Sequence, residues 1–440
     1  MKIVRMLLCS LFCILTMQAE SPKLLIKIPT RSRPAKFFDT LDKHYKFLSR
    51  KVPYHFLISC DSDDPTMNNP QIIKQLKSYP NLSFSFEKGS CKVAAYNRDI
   101  HSGLPFDILL LSSDDMIPAC VGYDKIIVDA MLENFPDFDG VLNFHDGNVG
   151  GQLNTLPVIG KKFFDRFGFA YNPAYLSLFC DEELTVISRM LGKEKVIDTI
   201  ILKHMHPSYK HASWDDLYKR NQALFNRDKQ VFIKRQQKNF DFDRDAIDNA
   251  MPMMWSILIC TLDERADQFN ELYTKLMDQI KQAGLEDKVE VLFYCDNREA
   301  TVGYKRNQLL LASKGKYVCF IDDDDDVHDR YIEMIYERLL RNPDCINLIG
   351  VMTRNGNDPR RFIHSIEYDH YFESKKVYYR PPNHLNPMRR SIAIQYLFPE
   401  KNVGEDTDWA MKIAKAKLLK TEERIAEPYY YYQWVTKSKK

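Results

Sequence analysis

Short apolar runs of four to six residues recur along the chain, separated by longer stretches of mixed polarity. In the first half they are LLIKIP (24–29), HFLIS (55–59) and ILLLS (108–112). In the second half they are SILIC (256–260), VLFYC (291–295) and YVCFI (317–321). Uninterrupted runs of this length fit strands of a parallel sheet covered on both faces. The stretches between them are amphipathic, as in DQFNELYTKLMDQIKQAG (267–284), where Gly284 marks a helix stop. Strand alternating with helix predicts an α/β fold that binds its ligand at the carboxyl ends of the strands.

A chain of 440 residues accommodates two to three domains. Residues 212–250 are charged and polar without Gly or Pro, which reads as a helical connector and not a flexible linker. The boundaries expected are 1–19, 20–210, 211–250 and 251–440, with each large half holding its own core and folding alone. With 62 basic and 60 acidic residues, no polyanion partner is implied, so nucleic acid is excluded. Lys2 and Arg5 precede an apolar run from Met6 to Met17, with Ala19 before Glu20-Ser21-Pro22. That is the outline of a secretory signal peptide over 1–19, too short to span a bilayer comfortably. The expected location is the periplasm, a secretory lumen or the exterior, and the cytoplasm if the segment is no signal. Beyond it no apolar run approaches membrane length. No C-x-x-C spacing occurs among the ten Cys, so zinc and redox motifs are unsupported.

The chemistry concentrates in GYKRNQLLLASKGKYVCFIDDDDDV (303–327), where a buried strand ends in five aspartates, Asp322 to Asp326. Carboxylates crowded at a strand end repel each other and need a cation. On an extended segment Asp322 and Asp324 would share one face and could hold a hard divalent ion.

This stretch resembles the donor-sugar motif of GT-A glycosyltransferases, particularly family 2, in which Arg and Asn open a helix and the following strand ends in D-x-D. VGEDTDW (403–409) is similar to the family's acidic pair and maps onto Glu405 and Asp406. SILICTLDER and LFYCDNREA are similar to its first two strands. The first half repeats the order more divergently: LLIKIPTRSRP, HFLISCDSDD, AAYNRDIHSGLPFDILLLSSDDM and FCDEELT, at an offset of about 209 residues (Leu111 against Phe320). The expectation is therefore two tandem GT-A domains, Rossmann-like folds of the nucleotide-diphospho-sugar transferase type.

The resemblance implies a metal-dependent, non-processive glycosyltransferase, bifunctional if both halves act, and inverting in the second domain. It implies a nucleotide-sugar donor, a UDP-sugar foremost, a manganese or magnesium ion, and a glycan, lipid or protein acceptor. Asp406 is the implied base, with Glu405 next to it. Asp322 and Asp324 are the implied metal ligands, and Asp296, Arg306, Asn307 and Asp323 the donor contacts. In the first half the counterparts are Asp181 or Glu182 as base, Asp114, Asp115 and His206 at the metal, and Asp61, Asn97 and Arg98 at the donor. The second half offers no equivalent histidine in its final segment, EPYYYYQWVTKSK. Ser113 in place of the first aspartate keeps an alternative open: one active domain beside a carbohydrate-binding or scaffolding pseudoenzyme. A nucleotidyltransferase ranks lower, since the first loops, PTRSRP and CTLDER, lack Gly.

Overall fold

The computed structural model describes residues 21–434 apart from Ser90 and Ser102. The export signal read in residues 1–19 lies outside the described residues. The first half contributes β1 (Leu24–Thr30), β2 (Tyr54–Asp61), β3 (Leu82–Glu87), β4 (Ile108–Leu111), β5 (Met116–Pro118), β6 (Val141–Phe144), β7 (Pro157–Gly160), β8 (Glu194–Ile197) and β9 (Leu202–His204). The second contributes β10 (Met253–Leu262), β11 (Val289–Asp296), β12 (Gly315–Phe320), β13 (Asp326–Val327), β14 (Cys345–Ile346), β15 (Leu348–Arg354), β16 (Asn357–His364), β17 (Phe372–Ser374), β18 (Val377–Arg380), β19 (Met388–Arg389), β20 (Glu422–Glu423) and β21 (Tyr430–Trp434).

The protein is α/β. The first sheet runs β3-β2-β1-β4-β7-β6-β8 and the second β11-β10-β12-β19-β14-β20. Six strands match in order and direction: β2-β1-β4 and β11-β10-β12 are parallel, β7 and β19 are antiparallel insertions, and β6–β8 and β14–β20 are parallel pairs. The register also matches. Thr30 faces Cys60 and Ile26 faces Leu110, as Thr261 faces Cys295 and Ile257 faces Cys319. A third sheet, β13-β21-β15-β16-β18-β17, extends the second half alone.

Side chains alternate across each sheet. Leu24, Ile26 and Leu110 pack into a core of the first half, and Ile257, Ile259 and Cys319 into a core of the second. Their neighbours Leu25, Leu109, Leu258, Val318 and Phe320 belong to one common cluster, joined by Phe232, Phe240, Ile394 and Trp409. Each half thus holds a core of its own, and one face of each central sheet also looks onto apolar ground that the two halves share. Polar contacts reinforce it. Arg390 donates to the Arg189 carbonyl (3.3 Å), and Tyr396 donates to Gln236 (3.0 Å).

The connector is helical, over Asp216–Gln222, Phe225–Gln237 and Arg244–Asn249. It is bound at both ends. Asp215 pairs with Arg33 (2.7 Å) in the first half, and Asp248 with Arg389 (2.7 Å) in the second. Among the described residues no helix is long and apolar enough to cross a membrane.

Candidate active site

In the second half, the helix Val302–Ala312 lies against β10 and β11 and reaches their carboxyl ends through Lys305. Its first turn runs so close to the 399–401 loop that a β-carbon at Gly303 would overlap the Pro399 carbonyl oxygen. Arg306, on this helix, is buried and donates to Asp322 (2.9 Å) and Glu405 (3.2 Å). Lys305 donates to Asp296 (2.7 Å) and to the Thr261 carbonyl (3.0 Å). Asn307 turns the other way. Its amide donates to the Phe398 carbonyl (2.9 Å) and accepts from the Phe398 N–H (2.8 Å), so it holds the loop.

The aspartate run is a turn, not an extended strand, closed by Asp325 N–H donating to the Asp322 carbonyl (3.1 Å). The shared-face argument for Asp322 and Asp324 therefore does not describe it. Asp323 accepts from Thr261 (2.8 Å) and Arg265 (2.6 Å), while Asp324, 3.1 Å from the same Arg265, is far more exposed. Asp325 is buried and accepts from Tyr430 (2.7 Å). Burial pushes the Asp322 carboxyl up, but Arg306 and His384 more than offset this and hold it well below the usual carboxylate range. Asp324 is pushed up by burial and by the charges of Asp322 and Asp323, against the pull of Arg265.

Glu405 and Asp406 open the helix Glu405–Ala416, capped by Gly404 at φ 74°. The left-handed cap favours glycine, and the helix N-terminus favours the acids. His384 is a residue that sequence reasoning missed, having sought a histidine only in the final segment. It is buried, with Nε2 3.7 Å from Asp322 and Nδ1 3.6 Å from Asp406. Its only sequence signal is one histidine in a Pro- and Asn-rich loop, PPNHLNP.

The first half gathers a parallel set. Asp114 accepts from Thr30 (3.2 Å) and Arg33 (3.0 Å), as Asp323 does from Thr261 and Arg265. Burial and Asp115 push its carboxyl up to about 6. Asp115 accepts from Ser113 and from Tyr218 (2.6 Å). Asp61 meets Arg31 (2.8 Å) and Arg98 (3.5 Å). Asn97 accepts from the Ala170 and Tyr171 N–H groups (2.9 and 3.0 Å), a loop-holding role like that of Asn307. His206 was the expected metal partner, yet it is His204 that stands between carboxylates, 3.8 Å from Asp115 and 3.6 Å from Asp146. His206 instead packs edge-on against Tyr218 and accepts from the Ser208 N–H (3.2 Å). Asp181 and Glu182 lie in the first turn of Cys180–Met190, with Glu182 pushed up to about 7 by burial and by Asp181.

Among the described residues no group of three or more His, Cys, Asp or Glu is arranged to hold a metal ion. A magnesium-type site needs only one or two carboxylates when substrate phosphates complete the shell. Asp324, carrying charge that Arg265 does not fully answer, with Asp322 beside it, fits that partial donor set.

Carboxylates and cations gathered at the carboxyl ends of parallel strands define an α/β enzyme domain with its site at that edge. Residues 258–399 match the model of glycosyl transferase family 2. Among solved structures, the chain is similar to the mannosyltransferase PcManGT from Pyrobaculum calidifontis in complex with GDP-Man and Mn2+, at 13% identity and a TM-score of 0.34, over 41% of this chain and 55% of that one. It is also similar to S. aureus TarS 1-349 in complex with UDP, at 15% identity and a TM-score of 0.29, over 41% of this chain and 60% of that one. The chain thus spans between about half and two thirds of these proteins' lengths. No curated protein sequence matches it.

Proposed function

We propose that the C-terminal half transfers a sugar from a nucleotide-sugar donor to an acceptor hydroxyl, without processivity and with inversion. The observation that carries this reading is His384, which brings Asp406 and Asp322 to opposite sides of one imidazole. The proton-accepting carboxylate and the first aspartate of the turn thus border one site. Asp406 takes the acceptor proton as the oxygen attacks the anomeric carbon. Glu405, tied to Arg306, keeps that guanidinium aligned with Asp322. Asp324 and Asp322 are the residues placed to hold a divalent cation, which would offset the charge building on the leaving diphosphate. Asp296, steadied by Lys305, stands at the second strand's end, where a ribose or base is reached. The basic-then-apolar N-terminus supports export, and a UDP-sugar is the first donor to try.

The test is a screen of nucleotide-sugar hydrolysis and transfer by the full-length protein, with manganese and with chelator. Manganese-dependent release of nucleoside diphosphate from at least one donor is expected. Absence of manganese-dependent release from every donor overturns the reading.

A further inference from the structure

The N-terminal half lies outside the segment that matches the family model. It nevertheless encloses a cleft of about 540 Å³ whose lining includes Asp61, Asp114, Asp115, Asp181, His204 and Tyr218. That volume suits a small ligand. The cleft opens at the carboxyl ends of β1, β2 and β4, where open α/β sheets bind ligands. Its floor is acidic, and Lys92 and Arg220 stand exposed at its rim. Its outer wall comes from the connector, through Tyr218 and Phe225.

Matching registers allow the two halves to be compared position by position. Asp61 corresponds to Asp296, Asp114 to Asp323, and Asp115 to Asp324. The helices Cys180–Met190 and Glu405–Ala416 both start after a left-handed cap, Phe179 at φ 63° and Gly404 at φ 74°, which sets Asp181 opposite Asp406. One set differs throughout. Arg306, Asp322 and Glu405, mutually paired, are replaced by Tyr96, Ser113 and Cys180. Tyr96 and Cys180 are buried in the common cluster, and the Tyr96 hydroxyl donates to the Ser112 carbonyl (3.0 Å).

One cation and two anions have given way together to neutral groups, so no buried charge is left unanswered. Asp322, a cation-holding candidate of the second half, thus has no acidic counterpart, yet Asp61, Asp115 and Asp181 remain around an open cleft.

We propose that this cleft is a second site, binding a nucleoside diphosphate or its sugar ester, with Asp181 as its proton acceptor. A hydroxyl brought to it loses its proton to Asp181 as its oxygen bonds to the anomeric carbon. The bond from that carbon to the diphosphate breaks, and its electron pair leaves with the nucleoside diphosphate. His204, on β9 between Asp115 and Asp146, and Tyr218, donating to Asp115 from the connector, are positioning residues that fix the Asp115 carboxylate.

The experiment is calorimetric titration of the full-length protein with UDP, GDP, ADP and CDP, with manganese and with chelator. Wild type is compared with His204→Ala, Tyr218→Ala and Asp324→Ala, each first checked for a wild-type melting profile. The proposal expects two equivalents per chain across the panel. One should weaken at least tenfold in His204→Ala and Tyr218→Ala while the other is unchanged, and Asp324→Ala should show the reverse. Asp181→Asn should keep the first equivalent and lose any turnover tied to it. If neither cleft variant alters the binding of any nucleotide, or none binds to wild type, the proposal is overturned. Binding lost only in the cleft variants, with Asp324→Ala unaffected, supports this site and sinks the one in the other half.

Discussion

At the scale of single residues, the acidic groups of the second half divide by their partners. Asp323 and Asp325 are taken up by Thr261, Arg265 and Tyr430 and hold the turn in shape. Asp406 forms no ion pair with a lysine or arginine among the described residues; His384 faces it at 3.6 Å and the Thr407 hydroxyl donates to it at 3.4 Å. Asp406→Asn keeps size and hydrogen bonding but accepts no proton. Turnover should fall by about two to four orders of magnitude with donor affinity intact. Parallel measurement of kcat and of nucleotide binding checks this, and full activity would move the base elsewhere, to Glu405 first. Much of this was legible in the sequence: the strand ending in aspartates, the Arg-Asn helix opening and the Glu-Asp pair are local patterns. His384 was not, because a lone histidine in a loop carries no periodicity, and its two carboxylates come from residues 62 and 22 positions away on either side. The segment ILKHMHPSY (201–209) offers both His204 and His206, but nothing local singles out His204, whose partner Asp146 belongs to no motif.

At the scale of elements, the helix Val302–Ala312 is set by one close approach. Gly303→Ala would force the helix away from the Pro399 carbonyl and carry Arg306 out of line with Asp322 and Glu405. A loss of about 1–3 kcal/mol in stability is expected, the usual cost of overpacking. A urea midpoint equal to wild type would show that the loop yields instead. The pattern of apolar runs was enough to place the central strands β1, β4, β10 and β12, which are buried on both faces, and the edge strand β11, whose Phe293 is half exposed. It did not reveal the third sheet, whose strands β16 to β18 are largely polar and aromatic. The connector was legible as helical from its composition. That it walls a cleft depends on Tyr218 and Asp215 reaching back to Asp115 and Arg33, contacts separated by 103 and 182 positions.

At the scale of the whole molecule, the common cluster makes the halves interdependent. Residues 20–250 and 251–440 produced separately should each expose apolar surface, bind a hydrophobic dye and melt without a sharp transition. A cooperative melt of each half in isolation would restore the view of two free-standing domains. Acid should also loosen the whole chain. His44 and His364 are fully buried, and burial lowers both to about 3, so each folds neutral. Unfolded, each takes up a proton near pH 6.5. Their stabilising contribution is complete above that value and is lost as pH falls from about 6.5 toward 3, at about 1.4 kcal/mol per pH unit for each histidine. Denaturant titrations at several pH values should show this slope, and His364→Asn should make it shallower. An identical slope in that variant would assign the acid sensitivity to carboxylates.

The set of Arg306, Asp322 and Glu405 also constrains how such a chain can evolve. Changing Arg306 to Tyr alone strands the buried Glu405 and leaves Asp322, a third exposed, without its cation, and changing either carboxylate leaves a buried guanidinium partly unanswered. Breaking a buried pair from one side costs about 3–5 kcal/mol, a large part of a typical domain's stability. The neutral trio of the other half therefore lies across a fitness valley, and its three positions should show strong epistasis. Arg306→Tyr, Asp322→Ser and Glu405→Cys should each destabilise severely, whereas the triple variant should recover most of the loss in a thermal melt. If the three losses simply add, the trios are independent substitutions and the valley does not exist.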